Sequence, residues 1–407
     1  MALVVQKYGG TSVGSIDKIR SVAKKIAKRA KGGDSIVVVV SAMGHETDRL
    51  VKLAHQISET PSGREYDVLF ASGEQVSVSL MTMALNNLGI NAISMLGHQA
   101  KIYTDSIYSK AMIERIDTAR LRKALSEKKI VVVAGCQGVD TEENITTLGR
   151  GGSDLTAVAL AAALECPCEI YTDVEGVYSA DPNVVPSARK LERISYEEML
   201  ELAAAGAKVL HIRAVKMAMR YHVPLVVRST FSENDGTLVT EEERGMEKYS
   251  VSGVTCDTSE IRMSLVRVPD TPGVAGLIFD KISSANIIVD MIIQNASDTT
   301  GHTDVSFTLP KEDEKKALEI LQSLREQFPK SEVSIEENIA KISVVGAGMK
   351  THSGVAAKMF RTLADEGINI KMISTSEIKI SCVVDSKYAE LAVRSLHDAF
   401  ELDKAFA

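Results

Sequence analysis

The stretch TLGRGGSDLTAVALA, Thr147 to Ala161, changes character halfway along. Its first half, Gly149-Arg150-Gly151-Gly152, is too flexible to hold a regular element, because glycine gives up more backbone freedom on ordering than any other residue. From Leu155 onward it reads as an apolar helix. Ser153 or Asp154 can cap the first amides of that helix, and the glycines let a ligand approach the backbone closely. Two readings stand at this point: an anion site with Arg150 at its mouth, or a loop feeding a buried helix with Arg150 in water.

Outward from this stretch, strands and helices alternate as far as about residue 230. Short β-branched runs occur at Leu3–Lys7, Ile36–Val40, Ile130–Ala134, Glu169–Thr172 and Leu225–Arg228. Helical stretches fall between them at Ser15–Lys31, Glu74–Asn87, Thr118–Glu127, Asp154–Leu164, Tyr196–Ala204 and Lys208–Tyr221. Apolar strands separated by helices predict an α/β fold with a largely parallel sheet covered on both faces. Ligands in such folds gather at the carboxyl ends of the strands.

The polar run SENDGTLVTEEERGMEKY, Ser232 to Tyr249, marks a domain boundary. Beyond it, TPGVAGLIFDKISSANIIVDMI from Thr271 and HSGVAAKMFRTLADEGINIKMI from His352 align without a gap. Gly273 faces Gly354, Phe279 faces Phe360, Ile287 faces Ile368 and Met291 faces Met372. Each copy has a turn, an amphipathic helix and an apolar strand, with further strands before and after, so the second half is a duplication. The expected domains are 1–245, 246–338 and 339–407.

Composition narrows the function. The chain has 407 residues, 45% of them hydrophobic and 25% charged, as in an ordinary globular protein. The 47 Lys+Arg against 54 Asp+Glu give a net charge of −7 without a long single-sign block, which disfavours a nucleic-acid partner. The longest apolar runs cover about half a bilayer, so no membrane span is expected. The N-terminus lacks a charged leader followed by an apolar core and reads as a first strand. The 5 cysteines are scattered and mostly in apolar segments, which points to a reducing cytoplasm. Cys166-Pro167-Cys168 has no second pair at zinc spacing and reads as structural.

Several turns after strands could carry chemistry. Lys7-Tyr8-Gly9-Gly10-Thr11-Ser12 offers backbone amides for a phosphate and Lys7 as a point charge, although a tight strand-to-helix turn looks the same. It lacks the spacing of a Walker loop. In Ser41-Ala42-Met43-Gly44-His45-Glu46-Thr47 the hydroxyls of Ser41 and Thr47 can bind a carboxylate or simply cap, and His45 reads as a solvated loop residue. In Ala71-Ser72-Gly73-Glu74-Gln75, Glu74 is expected in a first helical turn. The segment from Tyr171 to Asn183 has the acids and hydroxyls to hold a base and ribose and to place an acid near Mg2+, and as a bare pattern it reads equally as a long ordered loop.

KYGGTS, SAMGHETD, FASGEQVS, TTLGRGGSD, YTDVEGVYSADP and AKVLHIR occur in the order found in aspartokinases of the amino-acid kinase family, which the chain resembles over essentially its whole length. The tandem repeat resembles their paired ACT domains. The fold implied is the amino-acid kinase three-layer sandwich followed by two ferredoxin-like βαββαβ regulatory domains. The absence of a homoserine dehydrogenase module after residue 407 suggests the monofunctional type.

The activity implied is ATP-dependent phosphorylation of the β-carboxylate of L-aspartate, the first step of lysine, threonine and methionine biosynthesis. By the resemblance Lys7 is the main charge stabiliser, with Gly9, Gly10 and Ser12 as phosphate donors. Arg150 grips the α-carboxylate of aspartate, Glu74 pairs with its α-amino group, and Ser41 and Thr47 orient the reacting end. Gly151, Gly152, Ser153 and Asp154 complete the pocket, Asp154 also holding Lys7. Thr172, Asp173, Val174, Tyr178, Asp181 and Asn183 resemble the nucleotide loop, with Lys208 reaching toward ATP.

Two departures weaken the match there. Asn183 and Ile212 stand where relatives often have arginine and proline. Effector pockets carry over onto Asp270, Gly273, Ala275, Asp290 and Gln294 in the first repeat. In the second they carry over onto Val355, Ala356, Asn369, Ile370, Ser376 and Glu377. Ile288 occupies a position where relatives commonly have asparagine. Lysine and threonine are the implied effectors, and pairing of the repeats implies a homo-oligomer. Met246 resembles an internal start for a separate regulatory subunit. A kinase acting on glutamate and a non-catalytic amino-acid sensor are the alternatives, and Lys7, Arg150 and Asp154 argue against the second.

Overall fold

The computed structural model describes residues 2–207, 209–241, 251–295, 301–347, 349 and 354–404. Lys208 and Met246 therefore lie outside the described residues. The chain forms two compact units, one of Met1–Tyr178, Lys190–Ala204 and Lys208–Gly245, the other of Ser179–Arg189, Ala205–Ala207 and Met246–Ala407.

The first unit begins with β1 (Leu3–Tyr8), α1 (Ile16–Lys31), β2 (Ser35–Val40), α2 (Glu46–Ile57), α3 (Arg64–Asn87), β3 (Ala92–Met95), β4 (Ile102–Thr104) and β5 (Ile113–Ile116). It continues with α4 (Ala119–Ser126), β6 (Ile130–Ala134), β7 (Gln137–Val139), β8 (Ile145–Thr147), α5 (Gly152–Leu164) and β9 (Cys168–Thr172). β10 (Arg193–Ser195), α6 (Tyr196–Ala204), α7 (Ile212–Arg220), β11 (Leu225–Ser229) and β12 (Thr237–Thr240) complete it.

Its main sheet has 8 strands in the order β10-β12-β11-β9-β1-β2-β6-β3. All pairs are parallel except β11 with β12. The run Ile36–Val40 is buried at every position, as a strand covered on both faces must be. Val38 and Val40 pack with Ile19, Val22 and Ile26 of α1 and with Val78, Met81 and Leu85 of α3. The alternate residues Val37 and Val39 face the other way, where α5 lies against β1 and β2. Burial of each such side chain contributes roughly 1.5 to 3 kcal/mol. The expected largely parallel α/β sheet is thus present.

A second sheet, β5-β4-β7-β8, was not legible in the sequence. Its strands have 3 or 4 residues, too short for an alternating pattern to register.

α3 differs from expectation. It has 24 residues and starts at Arg64, so Glu74 sits in its middle and not in a first turn. Ser72-Gly73 looks like a helix start in sequence, but Gly73 is helical. A Cβ there would come 3.0 Å from Ala42 Cβ and 3.4 Å from Leu50 Cδ1, so glycine is needed for close packing. α7 likewise begins at Ile212 and not at Lys208, capped by His211, whose ring nitrogen accepts from Arg213 N.

The second unit holds β13 (Gly253–Asp257), β14 (Glu260–Pro269), α8 (Val274–Ser284), β15 (Ile292–Gln294), β16 (His302–Pro310), α9 (Glu314–Leu324) and β17 (Glu332–Glu336). After these come β18 (Ile339–Val345), α10 (Gly354–Asp365), β19 (Met372–Thr375), β20 (Lys379–Asp385) and α11 (Ala389–Ala399). The first repeat forms the antiparallel sheet β15-β16-β14-β17 under α8 and α9, a βαββαβ unit with its own core of Ile278, Phe307 and Leu321.

The second repeat completes its sheet differently, in the order β13-β18-β20-β19. Its outer strand β13 precedes the first repeat in the chain, so the first repeat is inserted within the second. Ala180 and Val185, from the segment after β9, also join the second repeat's core, beside Val254, Met359 and Leu396.

Candidate functional site

Lys7 is the next-to-last residue of β1, and its Nζ lies 2.7 Å from Asp154 Oδ1 in the first turn of α5, with side-chain exposures of only 12% and 11%. Gly9 follows, and a Cβ there would lie 3.5 Å from that Nζ. The Gly9 and Ser12 amides are already used, donating to Tyr171 O at 3.2 Å and to Gly9 O at 2.9 Å. The Ser12 hydroxyl is buried against Thr230 Oγ1 at 2.6 Å. The amides of Gly10 and Thr11 make no internal hydrogen bond among the described residues. This turn therefore offers a phosphate Gly10 and Thr11, and Gly9 and Ser12 act as its frame.

The glycine turn between β8 and α5 is built from four sides. Gly151, in the left-handed region at φ 71°, is the N-cap of α5 and no side chain caps the helix. Ser153 and Asp154, expected as caps, lie inside the first turn, where Asp154 also meets the positive end of the helix dipole. A Cβ on Gly151 would stand 2.3 Å from the His211 ring, so only glycine fits.

Cys136 Sγ donates to Gly149 O at 3.2 Å, and Gly152 leaves no room for a Cβ beside the same sulfur. Burial, reinforced by the charge of nearby Glu74, pushes the Cys136 thiol up to about 12, so it stays neutral. Asp67 on α3 accepts from Thr147 N at 2.6 Å, Thr147 Oγ1 at 2.9 Å and Ser109 N at 2.9 Å. Arg150 itself is exposed and makes no hydrogen bond or ion pair among the described residues. Burial holds the His211 imidazole below its ordinary value against the pull of Asp154, and the charges of Arg213 and Arg150 lower it further.

Glu74 is 3% exposed. Its Oε1 accepts from Ala42 N at 3.2 Å, while Oε2 is buried without a partner. Desolvation raises its carboxyl to about 7. Ser41 lies at the end of β2, and its carbonyl accepts from Ser77 Oγ, one turn along α3 from Glu74, at 2.7 Å. Thr47 lies in the first turn of α2. His45 is an exposed loop residue beside Asp48, as the sequence suggests.

The nucleotide-loop candidates divide. Thr172, Asp173, Val174 and Tyr178 belong to the first unit, with Thr172 Oγ1 donating to Asp173 at 3.1 Å and Tyr178 bridging to Lys190. Asp181 and Asn183 belong to the second unit. There Asp181 Oδ1 accepts from Asn183 N at 2.9 Å and from Asn183 Nδ2 at 3.0 Å, which ties that amide down locally. Lys208 lies outside the described residues.

In the repeats, Asp270 follows β14 and Gly273, at φ 98°, caps α8 ahead of Ala275. Gln294 ends β15. Asp290 is engaged by the buried ammonium of Lys341 at 2.6 Å, which also holds Glu260 at 2.8 Å. Val355 is buried, and Ala356 and Ile370 pack against the same core, so their side chains are structural. Asn369 is exposed, while Ser376 and Glu377 lie in the turn before β20. A cavity of about 290 Å3 between the two repeats is lined by Arg262, Ser306, Ile370 and Lys371, among others. A larger one of about 870 Å3, near Arg267, Arg325 and Lys330, includes none of the expected effector residues.

The profile of the amino acid kinase family matches residues 2–229, and that of the ACT domain matches residues 266–324 and 342–400. The chain is 54% identical over 407 residues to an aspartokinase of Pseudomonas aeruginosa, covering 99% of this chain and 98% of the relative. Of solved structures, E. coli aspartokinase III in complex with aspartate and ADP matches with a TM-score of 0.82 at 26% identity, over 98% of this chain and 99% of that one. The same protein in complex with lysine and aspartate matches with a TM-score of 0.74 at 26% identity, again over 98% and 99%.

Proposed function

The chain belongs to the amino acid kinase family and within it to the aspartokinases, and from that premise we propose that it phosphorylates the β-carboxylate of L-aspartate with ATP. The observation that carries this reading is Glu74. A buried carboxylate with one oxygen unpartnered is a poor structural element and a good seat for an α-ammonium group. Arg150, exposed at the end of a rigidly framed turn, supplies the matching fork for the α-carboxylate. Cys136 Sγ donates to Gly149 O of the Arg150 turn, and the charge of Glu74 adds to the burial that raises its thiol.

Phosphoryl transfer asks the protein mainly for positioning and charge compensation. The β-carboxylate attacks the γ-phosphorus in line, ADP leaves, and no enzyme nucleophile is needed. Lys7, held by Asp154, compensates the charge on the moving group, and the Gly10 and Thr11 amides hold phosphate oxygens. Ser41 and Thr47 orient the attacking carboxylate, with Gly151, Gly152 and Ser153 shaping the pocket floor. Thr172, Asp173, Val174 and Tyr178 take the nucleoside side.

Among the described residues no group of three acidic, histidine or cysteine side chains could hold a metal alone. Mg2+ usually arrives on nucleotide phosphates and keeps several waters. Bound there, it would neutralise phosphate charge.

Residues 1–245 act as the catalytic domain and the ACT repeats as the regulatory region, with lysine, threonine or both as effectors and the cytoplasm as the compartment. An end-product that prefers a less active state shifts the population toward it. Ile288 and Ile292, 72% and 50% exposed, and Ile373, 42% exposed, are apolar surface suited to pairing of the repeats in a homo-oligomer. Met246 would be the start of a shorter regulatory subunit.

The test is ATP turnover with aspartate, trapping of the acyl phosphate as hydroxamate, and lysine and threonine added singly and together. Hydroxamate forming with aspartate is expected, and its appearance with glutamate alone would replace the substrate. Arg150→Lys keeps the charge but loses the planar fork. Apparent aspartate affinity should fall by ~1 to 3 kcal/mol with ATP binding nearly unchanged. An equal loss for both substrates would remove Arg150 from the aspartate side.

A further inference from the structure

Three of the four residues in Gly149-Arg150-Gly151-Gly152 are glycine, so the turn cannot fix the direction of Arg150 by its own backbone preference. Something outside it must do so. On α7, Arg213 spreads its guanidinium between two separate segments. Nη1 donates to Leu148 O at 2.6 Å and Nη2 to Ala111 O at 2.7 Å. Leu148 is the residue before the turn. Ala111 N in turn donates to Thr147 O at 3.0 Å, so the two carbonyls belong to neighbouring strands of chain that the guanidinium bridges. The same helix start presents the His211 ring against Gly151.

We propose that Arg213 is a positioning residue for aspartate recognition: its two-armed grip on Leu148 and Ala111 sets the loop from which Arg150 reaches the substrate. Arg213 touches no substrate. It acts through Arg150, and the inference rests on the assignment of Arg150 to the α-carboxylate. Lysine at 213 keeps a charge but presents a single ammonium in place of a rigid fork aimed at two carbonyls. With one arm lost, the turn regains freedom that aspartate must then remove on binding.

The experiment compares KM for aspartate and for ATP, kcat and thermal midpoint in Arg213→Lys, Arg213→Ala, Arg150→Lys, Arg150→Ala and the double variant Arg150→Ala/Arg213→Lys. For Arg213→Lys the aspartate KM should rise ~10- to 100-fold, the scale of a small misplacement near the reacting groups, and ATP KM should stay within about twofold. Methylguanidinium should partly restore aspartate KM in Arg213→Ala. Adding Arg213→Lys to Arg150→Ala should leave aspartate KM almost where Arg150→Ala put it.

Parallel rises in both KM values, or fully additive effects in the double variant, overturn the proposal. If Arg150→Lys leaves aspartate KM unchanged, the role of Arg150 itself is what fails. If Arg150→Lys raises it and Arg213→Lys does not, the positioning role fails alone.

Discussion

Lys7→Met is expected to lower kcat by about 10²- to 10³-fold, the usual loss when one charge-stabilising donor is removed from a preorganised site. The side chain is nearly buried and held 2.7 Å from Asp154, so its ammonium needs little reorganisation when charge moves onto the transferred phosphoryl group. A second consequence separates this prediction from general damage. Removing Lys7 leaves the Asp154 carboxylate, 11% exposed, without its cation. Breaking one side of a buried pair typically costs about 3 to 5 kcal/mol of stability, and this pair should fall at the low end because it retains some water. Asp154→Asn placed on top of Lys7→Met should recover most of that stability in a denaturant titration and none of the turnover. A Lys7→Met enzyme with wild-type kcat would take Lys7 out of the transition state.

How much of this site the sequence disclosed depends on how local each signal is. Lys7, Ser41 and Asp154 stand where apolar β-branched runs end or a buried helix begins, and short-range patterns mark such places well. Glu74 reads from sequence as a first-turn residue, because Ser72-Gly73 mimics a helix start, whereas it lies in mid-helix. The cause is non-local: a glycine in mid-helix clears space for Ala42 in the loop after β2. Asp67 and Cys136 give no site signal, and Arg213 shows only as the last residue of AKVLHIR, with nothing to say what it holds. Their partners are backbone carbonyls and amides far away in the chain, and no spacing rule encodes such bonds.

The regulatory half shows the same limit. The alignment of Thr271 with His352 finds the helix and the strands after it in both copies. It cannot find β13, which has no counterpart in the repeat and completes the second sheet by pairing with β18. Ala180 and Val185 also belong to that repeat's core although they come from the loop after β9, so the expected boundary near residue 245 describes the chain but not the packing. Asp290, expected to meet an effector, is already neutralised by Lys341 from the other repeat. That contact joins the repeats within one chain, and an effector competing for Asp290 would have to break it.

Glu74→Gln is expected to stabilise the protein while weakening aspartate binding, and both effects should depend on pH in a fixed direction. Burial raises the Glu74 carboxyl from 4.5 to about 7. The folded chain therefore keeps this proton after the unfolded chain has lost it. Stability falls as pH rises from about 4.5, and the deficit is complete above about 7, where it amounts to about 3 kcal/mol at 1.36 kcal/mol per pKa unit. Glutamine carries no such penalty. Denaturant midpoints of Glu74→Gln and wild type should coincide near pH 4.5 and separate toward pH 8, with the variant the more stable. Function runs the opposite way. Only the ionised carboxylate attracts the α-ammonium group, so wild-type KM for aspartate should rise by about tenfold per unit as pH drops below about 7, while KM for ATP shows no such step. In Glu74→Gln that slope should vanish and KM for aspartate should be high throughout. A variant that keeps wild-type aspartate KM and its pH slope would move the ammonium contact to another residue and leave the unpartnered Oε2 without a function.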